Sequence, residues 1–280
     1  MSKRRRGAML LWGDFRLWIG APRTSWMILP ILLLCVLQVV QGWKGPLRDE
    51  TLFPLEVIID HFYGGFNLMM SSSIFLLGCS EIPKRIPWQQ QMLIRASRRS
   101  WLLAYIGQCL LMVLVTIAMM IAITLLLSIG HMRPGNGWSD LERIAREEIL
   151  PAESIMPPFL VENMTPLQGA LMCLAPLTLF WFSMLLVILL FGMTSKPHAG
   201  LMICAFAVLS HVCLLVDDGW MAVFALFRYA RLSGMDLARY GMTYFWKAMI
   251  GYAALDLGLI AIMTVMVKRM DLTLTSSVRY

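Results

Sequence analysis

A few ionisable and strongly polar residues lie inside the long apolar stretches of this chain. A charged side chain at the centre of a lipid bilayer costs about 2.5 to 3.5 kcal/mol, so such residues point either to function or to helix packing. In the first case they contact a substrate or carry a proton, and in the second they hydrogen-bond between helices. The sequence leaves both interpretations open. The candidates are Asp60, His61, Asn67, Gln108 and Asp256.

Asp256 is the most isolated of these candidates. It lies near the middle of the last apolar stretch, with Tyr252 one helical turn before it. No basic residue of that stretch lies at the same depth, so we expect Asp256 either to carry a proton or to face water. Asp60, His61 and Asn67 follow one another along an earlier stretch.

Sequence motifs of the common catalytic sites are absent from the chain. No G-x-x-x-x-G-K-[S/T] phosphate loop is present, so the chain has no evident means of hydrolysing ATP itself. H-E-x-x-H and G-x-S-x-G are absent too, and the scattered histidines lack metal-ligand spacing. We therefore expect a protein that is not an enzyme, with no catalytic residue, cofactor or metal ion of its own.

The sulfur-containing residues favour packing over chemistry. The six cysteines lie within or at the end of apolar stretches without C-x-x-C spacing, which predicts buried free thiols rather than disulfides or a metal site. The 23 methionines raise the question of a copper(I) site, because thioether sulfur binds that ion. They lie among aliphatic residues without a separate Met cluster, so packing or an adaptable binding surface is favoured.

The overall composition excludes an ordinary water-soluble protein. Of the 280 residues, 59% are hydrophobic and only 15% are charged, and the mean hydropathy is +0.69. A globular domain has about 25% charged residues, and the apolar excess here is concentrated in blocks long enough to cross a bilayer as helices. We therefore predict an all-α polytopic membrane protein. Its net charge of +7 is expected to orient it in the membrane, not to bind nucleic acid.

Six apolar stretches predict six transmembrane helices in a single domain covering residues 1–280. An even number of crossings places both termini on one side, and the basic N-terminal segment indicates the cytoplasm. With this topology the cytoplasmic side holds 15 basic and 3 acidic residues, and the outer side holds 9 and 13. The predicted spans cover residues 26–43, 57–79, 101–130, 167–192, 199–216 and 244–267.

Three further segments are predicted to form short helices at the membrane surface. Residues 1–25 place apolar side chains on one helical face, which favours a cytoplasmic interfacial helix over a basic leader without structure. The outer loop 131–166 contains Ser139-Asp140-Leu141-Glu142, a capping box that predicts a short helix. The outer segment 217–243 is rich in aromatic and basic residues, which predicts two interfacial helices.

The cytoplasmic segment 80–100 joins the second and third predicted spans and is strongly basic. Pro87 suits the first turn of a helix, which would carry an aromatic ring and several hydrogen-bond donors on one face. That face would meet a cytoplasmic partner; alternatively, its arginines bind anionic lipid headgroups. The residues concerned are Glu81, Lys84, Arg85, Trp88, Met92, Arg95, Arg98 and Arg99.

Three short motifs resemble bacterial type-2 ABC exporter permeases, especially those of Gram-positive bacteria. LIRASRRSWLLAYI at residues 93–106 resembles the start of their third span, and TPLQGA at 165–170 the start of their fourth. VKRMD at 267–271 resembles their basic cytoplasmic exit. The order of the motifs agrees with that family over most of the chain. The chain departs from common members in its Met-rich spans, in Asp217-Asp218-Gly219, and in Phe191-Gly192-Met193, where an Asn is often found.

This resemblance implies the transmembrane permease subunit of an exporter in a bacterial plasma membrane. Two copies, identical or related, would form the path for a hydrophobic or amphipathic substrate, and a separate ATP-binding subunit would sit on each. Segment 80–100 would hold the coupling helix that receives the movement of the ATPase. Two other classes stay open: a proton-coupled secondary transporter that uses Asp256 and Asp60, and a non-transporting membrane scaffold or sensor subunit.

Overall fold

The computed structural model describes residues 20, 22–44, 53–80, 98–139, 158–194, 196–216, 229–230, 232, 235 and 241–269. The regular elements in these ranges are helices, as the sequence predicts. A short 3₁₀ turn, Ile129–His131, directly follows the helix that ends at Ser128. The helices are α1 (Pro22–Lys44), α2 (Pro54–Tyr63), α3 (Gly65–Cys79), α4 (Arg98–Ser128), α5 (Pro158–Asn163), α6 (Pro166–Gly192), α7 (Pro197–Val216) and α8 (Met242–Arg269).

Three helices are long and apolar enough to cross a membrane: α4, α6 and α8. Their apolar parts of 30, 27 and 27 residues extend about 40 to 45 Å at about 1.5 Å per residue, more than the hydrocarbon core of about 30 Å. The pair α2 and α3 makes a fourth candidate if it counts as one span. The apolar parts of α1 and α7, Met27–Val40 and His198–Ser210, are shorter. A multi-pass arrangement with three or four spans is therefore supported, whereas the six predicted spans are not shown. The six predicted stretches lie in helical residues apart from Gly64 in the second.

The outward faces of the helices are apolar. Large hydrophobic side chains such as Leu103 on α4, Phe206 on α7 and Leu257 on α8 are more than half exposed, and Phe206 reaches 73%. A water-soluble protein does not expose apolar surface continuously along several helices, whereas lipid tails solvate it without cost. This distribution supports the assignment to a membrane.

The predicted second span is interrupted rather than continuous. α2 ends at Tyr63 and α3 begins at Gly65, and the two axes differ by 78°. Gly64 between them has an extended backbone, with φ −67° and ψ 125°. Two successive glycines weaken the helix because neither has a β-carbon and both lose much conformational entropy when ordered. The chain turns there, and the Gly64 carbonyl accepts the first hydrogen bond of α3, from the Leu68 amide.

α6 is the most deeply buried of the long helices and organises the others around it. It begins with a capping box, in which Thr165 Oγ1 accepts from the Gln168 amide at 3.4 Å and Gln168 Oε1 accepts from the Thr165 amide at 3.0 Å. Further along, Trp181 stacks on Phe75 of α3 with ring centroids 4.4 Å apart, and its Nε1 donates to Ser72 Oγ at 2.8 Å. These contacts fix α3 against the centre of the bundle.

The contacts also fix the relative directions of the helices. α1 runs in the opposite sense to the α2–α3 pair and α6 runs in the same sense as that pair, whereas α7 runs antiparallel to α6 and α8 runs parallel to α6. Each direction follows from the order in which residues of the two elements meet along the chain. The contacts that show it are Met27 with Gly78, Gln38 with Asp60, Ile59 with Gly169, Ser72 with Trp181, Gly200 with Ile188, Cys204 with Met184, Phe180 with Tyr252, and Ser183 with Asp256.

Several predictions about connecting segments lie outside the described residues. These are the interfacial helix before α1, the helix opened by the capping box after Ser139, nearly all of segment 217–243, and the cytoplasmic residues Glu81, Lys84, Arg85, Trp88, Met92 and Arg95. The prediction about cysteines is confirmed where it is tested, since Cys35, Cys79, Cys109, Cys173 and Cys204 are free and buried.

Candidate functional site

Asp256 is held at the contact between α6 and α8. It lies near the middle of α8, as the sequence predicts, and only 5% of its surface is exposed. Ser183 Oγ on α6 donates to Asp256 Oδ1 at 2.5 Å. The second carboxyl oxygen, Oδ2, is buried and meets no hydrogen-bond partner among the described residues. Asp256 is thus half satisfied: among the described residues, only one of its two carboxyl oxygens has a hydrogen-bond partner.

Aromatic rings cover this pair on one side. Phe180 lies three residues before Ser183 on α6, and Tyr252 lies one turn before Asp256 on α8. The two rings meet edge to face, with centroids 6.1 Å apart and planes at 65°. Since α6 contains no acidic or basic residue, it supplies no opposite charge to Asp256. Asp256 therefore meets no ion-pair partner on α6.

Glu56, a second buried acid, lies in the first turn of α2 and has no exposed surface. Its Oε2 accepts from the Phe53 amide at 2.8 Å and its Oε1 from the Ser139 amide at 2.5 Å. Because Ser139 lies 83 residues further along the chain, the carboxylate ties the start of α2 to the segment after α4. Trp138 adds a second tie, since its Nε1 donates to the Met164 carbonyl at 2.8 Å. The role of Glu56 is structural.

His61 belongs to a polar cluster between α1, α2 and α4. Its Nδ1 lies 3.3 Å from Thr124 Oγ1, which donates to Cys35 Sγ at 3.6 Å. Which of Thr124 Oγ1 and His61 Nδ1 donates depends on the tautomer of His61, whose other ring nitrogen is Nε2. That nitrogen is buried without a partner among the described residues. Beside the cluster, Gln38 Nε2 donates to the Asp60 carbonyl at 3.2 Å.

The structure separates the predicted polar residues into different places. Asp60 and His61 lie at the α1–α2–α4 cluster, whereas Asp256 lies at the α6–α8 contact. The Asn67 carbonyl accepts from Ser71 Oγ within α3, and Gln108 is buried in α4. The hydrogen bonds of the described residues do not join these polar side chains into one continuous path.

Sequence reasoning missed the residues that partner these groups. Ser183 and Thr124 are single hydroxyls in apolar runs, and nothing in their surroundings marks them. Glu56 did carry a signal: Phe53-Pro54-Leu55-Glu56 has proline at the first helical position and glutamate at the third, the usual pattern of a helix start.

The two ends of the bundle differ in charge. One end of the bundle contains the last residues of α3, the first residues of α4, the connection from α6 to α7 and the last residues of α8. The charged side chains described there are Arg99, Lys196 and Lys268, all basic and all exposed. At the opposite end acids and bases are mixed, and Arg133, Glu162 and Lys247 are all exposed there. The described charges therefore distinguish a basic end of the bundle from a mixed one.

No known protein family, curated protein or solved structure matches this chain. Within the described ranges, no group of three or more His, Cys, Asp or Glu residues is placed to hold a metal ion. The fold and the site show a helical protein with three or four helices able to cross a membrane. Two separate groups of polar residues lie inside it, one at α1, α2 and α4 and one between α6 and α8.

Proposed function

We propose that the chain is the transmembrane permease subunit of a type-2 ATP-binding cassette exporter in a bacterial plasma membrane. A separate ATPase subunit binds the ATP, a second permease copy completes the path, and the substrate is hydrophobic or amphipathic. The observation that supports this function most directly is the place where the two helices that flank segment 80–100 meet the end of the bundle. Both of these helices, α3 and α4, reach the basic end of the bundle.

A cytoplasmic ATPase would act on the bundle through these two helices. α3 is fixed to α6 by the Trp181–Phe75 stack and the Trp181–Ser72 hydrogen bond. α6 in turn contacts α8 through Ser183 and Asp256. A displacement of segment 80–100 would therefore pass along α3 to α6 and α8 as a rigid-body movement, the kind of change that alternates access to a path.

A partner ATPase is the first thing to test. The chain would be co-expressed with the phosphate-loop ATPase encoded beside its gene, purified in mild detergent and placed in lipid nanodiscs. We expect a stable complex whose ATPase activity exceeds that of the ATPase alone and is inhibited by vanadate. If no neighbouring gene encodes such a protein and the chain purifies alone, the proposed function is wrong.

A double substitution tests the coupling segment separately. Trp88→Ala with Arg95→Ala should abolish the stimulation of the ATPase while the chain still inserts into the membrane, because the face that receives the ATPase is removed. The matched control is Arg133→Ala with Lys247→Ala at the opposite end of the bundle, which should leave the stimulation unchanged. Wild-type stimulation in the Trp88 and Arg95 variant would contradict the coupling role.

A proton-coupled secondary transporter is the second candidate, and the half-satisfied Asp256 favours it. In that case an uncoupler that dissipates the proton gradient would stop export by cells, while ATP depletion with the gradient maintained would not. The opposite pattern supports the ATP-driven exporter.

A further inference from the structure

We propose that Asp256 is a proton-binding site whose occupancy is linked to the contact between α6 and α8. Three observations carry the proposal: Asp256 is 95% buried, its hydrogen-bond partner among the described residues is the Ser183 hydroxyl, and its Oδ2 is buried without a hydrogen-bond partner among those residues. The site is independent of whether an ATPase drives the protein.

The chemistry of the site selects a proton over other cations. Calcium takes six to eight oxygen ligands and magnesium takes six, whereas this contact offers one carboxyl group and one hydroxyl. An organic cation would need space between the helices, but the rings of Phe180 and Tyr252 already meet edge to face there. A proton needs one acceptor atom and no cavity.

The titratable and charged groups on α8, and on the helices that pack against it, do not neutralise a carboxylate at the position of Asp256. α8 packs against α6 and α4. α6 carries only the thiol of Cys173. On α8 the nearest charged residues in sequence, Lys247 and Lys268, are nine and twelve positions away, about 13 and 18 Å along the axis. The remaining groups are Tyr244, Tyr252 and Arg269 on α8, Tyr229 beside its first turns, and Arg98, Arg99, Tyr105 and Cys109 on α4.

A neutral carboxylic acid fits the contact better than a carboxylate does. With the proton on Oδ1, Asp256 donates to Ser183 Oγ and Oδ2 becomes a carbonyl oxygen, which is the type of buried acceptor that most readily lacks a partner. With the proton removed, a full charge would be buried against one hydroxyl, which is strongly unfavourable in lipid. Loss of the proton is therefore coupled to separation of α8 from α6 and hydration of the carboxylate.

Infrared difference spectroscopy on the full-length chain in lipid nanodiscs tests the site directly. As the pH is raised, we expect the wild type to lose the C=O stretching band of a protonated carboxylic acid. That band should be absent from Asp256→Asn and shifted in frequency in Ser183→Ala, because the alanine removes the hydrogen bond. Glu162→Gln, which changes an exposed glutamate, is the matched control and should leave the band unchanged.

Thermal unfolding supplies a second readout. A carboxyl that holds its proton in the folded chain but not in the unfolded chain stabilises the fold at low pH, and this stability is lost as the pH rises. The Tm of the wild type should therefore fall at high pH more steeply than that of Asp256→Asn. A wild type without the acid band at any pH would overturn the proposal. If Asp256→Asn does not fold, an unshifted band in Ser183→Ala would overturn it, and a shifted band would support it.

Discussion

Glu56 and Asp256 are both buried carboxyl groups, and they differ in how their oxygens are satisfied. Glu56 has no exposed surface, and each of its oxygens accepts a backbone N–H, from Phe53 and from Ser139. Asp256 is 5% exposed, and one of its oxygens accepts from Ser183 while the other has no partner among the described residues. A fully satisfied acid holds the fold together, whereas a half-satisfied acid is free to change its protonation state.

Position along the helix explains the difference. The first amides of a helix have no partner within it, so Glu56, in the first turn of α2, finds backbone donors at once. Asp256 lies in the middle of α8, where each amide already bonds to the preceding turn. Only side chains from a neighbouring helix can reach it, and α6 offers one hydroxyl.

Glu56→Ala should have the largest effect of the changes that test this comparison. It leaves the part-buried Phe53 amide and the buried Ser139 amide without acceptors, at about 1 to 3 kcal/mol each, so we expect a loss of about 3 to 4 kcal/mol in the free energy of unfolding. Unfolding in mixed micelles titrated with a denaturing detergent measures it. Glu162→Ala is the control, with an expected loss below about 0.5 kcal/mol. Similar stabilities of the two variants would refute the structural role of Glu56.

Glu56→Gln should have an intermediate effect. The amide keeps one carbonyl oxygen as an acceptor but turns an NH₂ group toward the other backbone N–H, so one of the two bonds is lost. We expect about 2 kcal/mol of destabilisation by the same measurement. A loss equal to that of Glu56→Ala would show that the charge, and not the number of acceptors, carries the stabilisation.

Ser183→Ala should destabilise the fold less than the Glu56 variants, because it removes one hydroxyl and leaves one atom of Asp256 without its hydrogen-bond partner. We expect about 1 kcal/mol at acidic pH, where Asp256 is neutral. The loss should grow at alkaline pH, because a carboxylate deprived of its one donor is worse than a neutral acid. A pH-independent loss would argue against protonation at this contact. Ser210→Ala is the matched control, since its hydroxyl donates only within α7, to Ala207.

Asp256→Asn should have the smallest effect on stability at acidic pH. Asparagine has the shape of the neutral acid and its NH₂ group donates to Ser183 Oγ in place of the acid O–H, so the expected loss is below about 1 kcal/mol. The comparison with Glu56→Gln is the decisive one: the same chemical change should be costly at Glu56 and nearly neutral at Asp256. Equal losses at the two positions would remove the distinction between them.

Much of the fold follows from patterns in single stretches of sequence. The six apolar stretches are helical in the structure, the five described cysteines are buried thiols, and Asp256 lies at mid-helix. The break at Gly64 was not foreseen, although Gly64-Gly65 is visible in the sequence. Glycine is common inside membrane helices, where neighbouring helices compensate for it, so a glycine pair alone does not decide between a straight helix and a break.

The sequence by itself determined that this chain is helical and suited to a membrane, because composition and apolar length set how backbone and side chains meet lipid. Only the tertiary structure decided which polar groups meet. Ser183 and Asp256 are 73 residues apart, as Thr124 and His61 are 63 apart. Each residue turns a helix face by about 100°, so a partner depends on how two helices are rotated and aligned against each other. That relation is a property of the packed bundle and is not visible in either stretch alone.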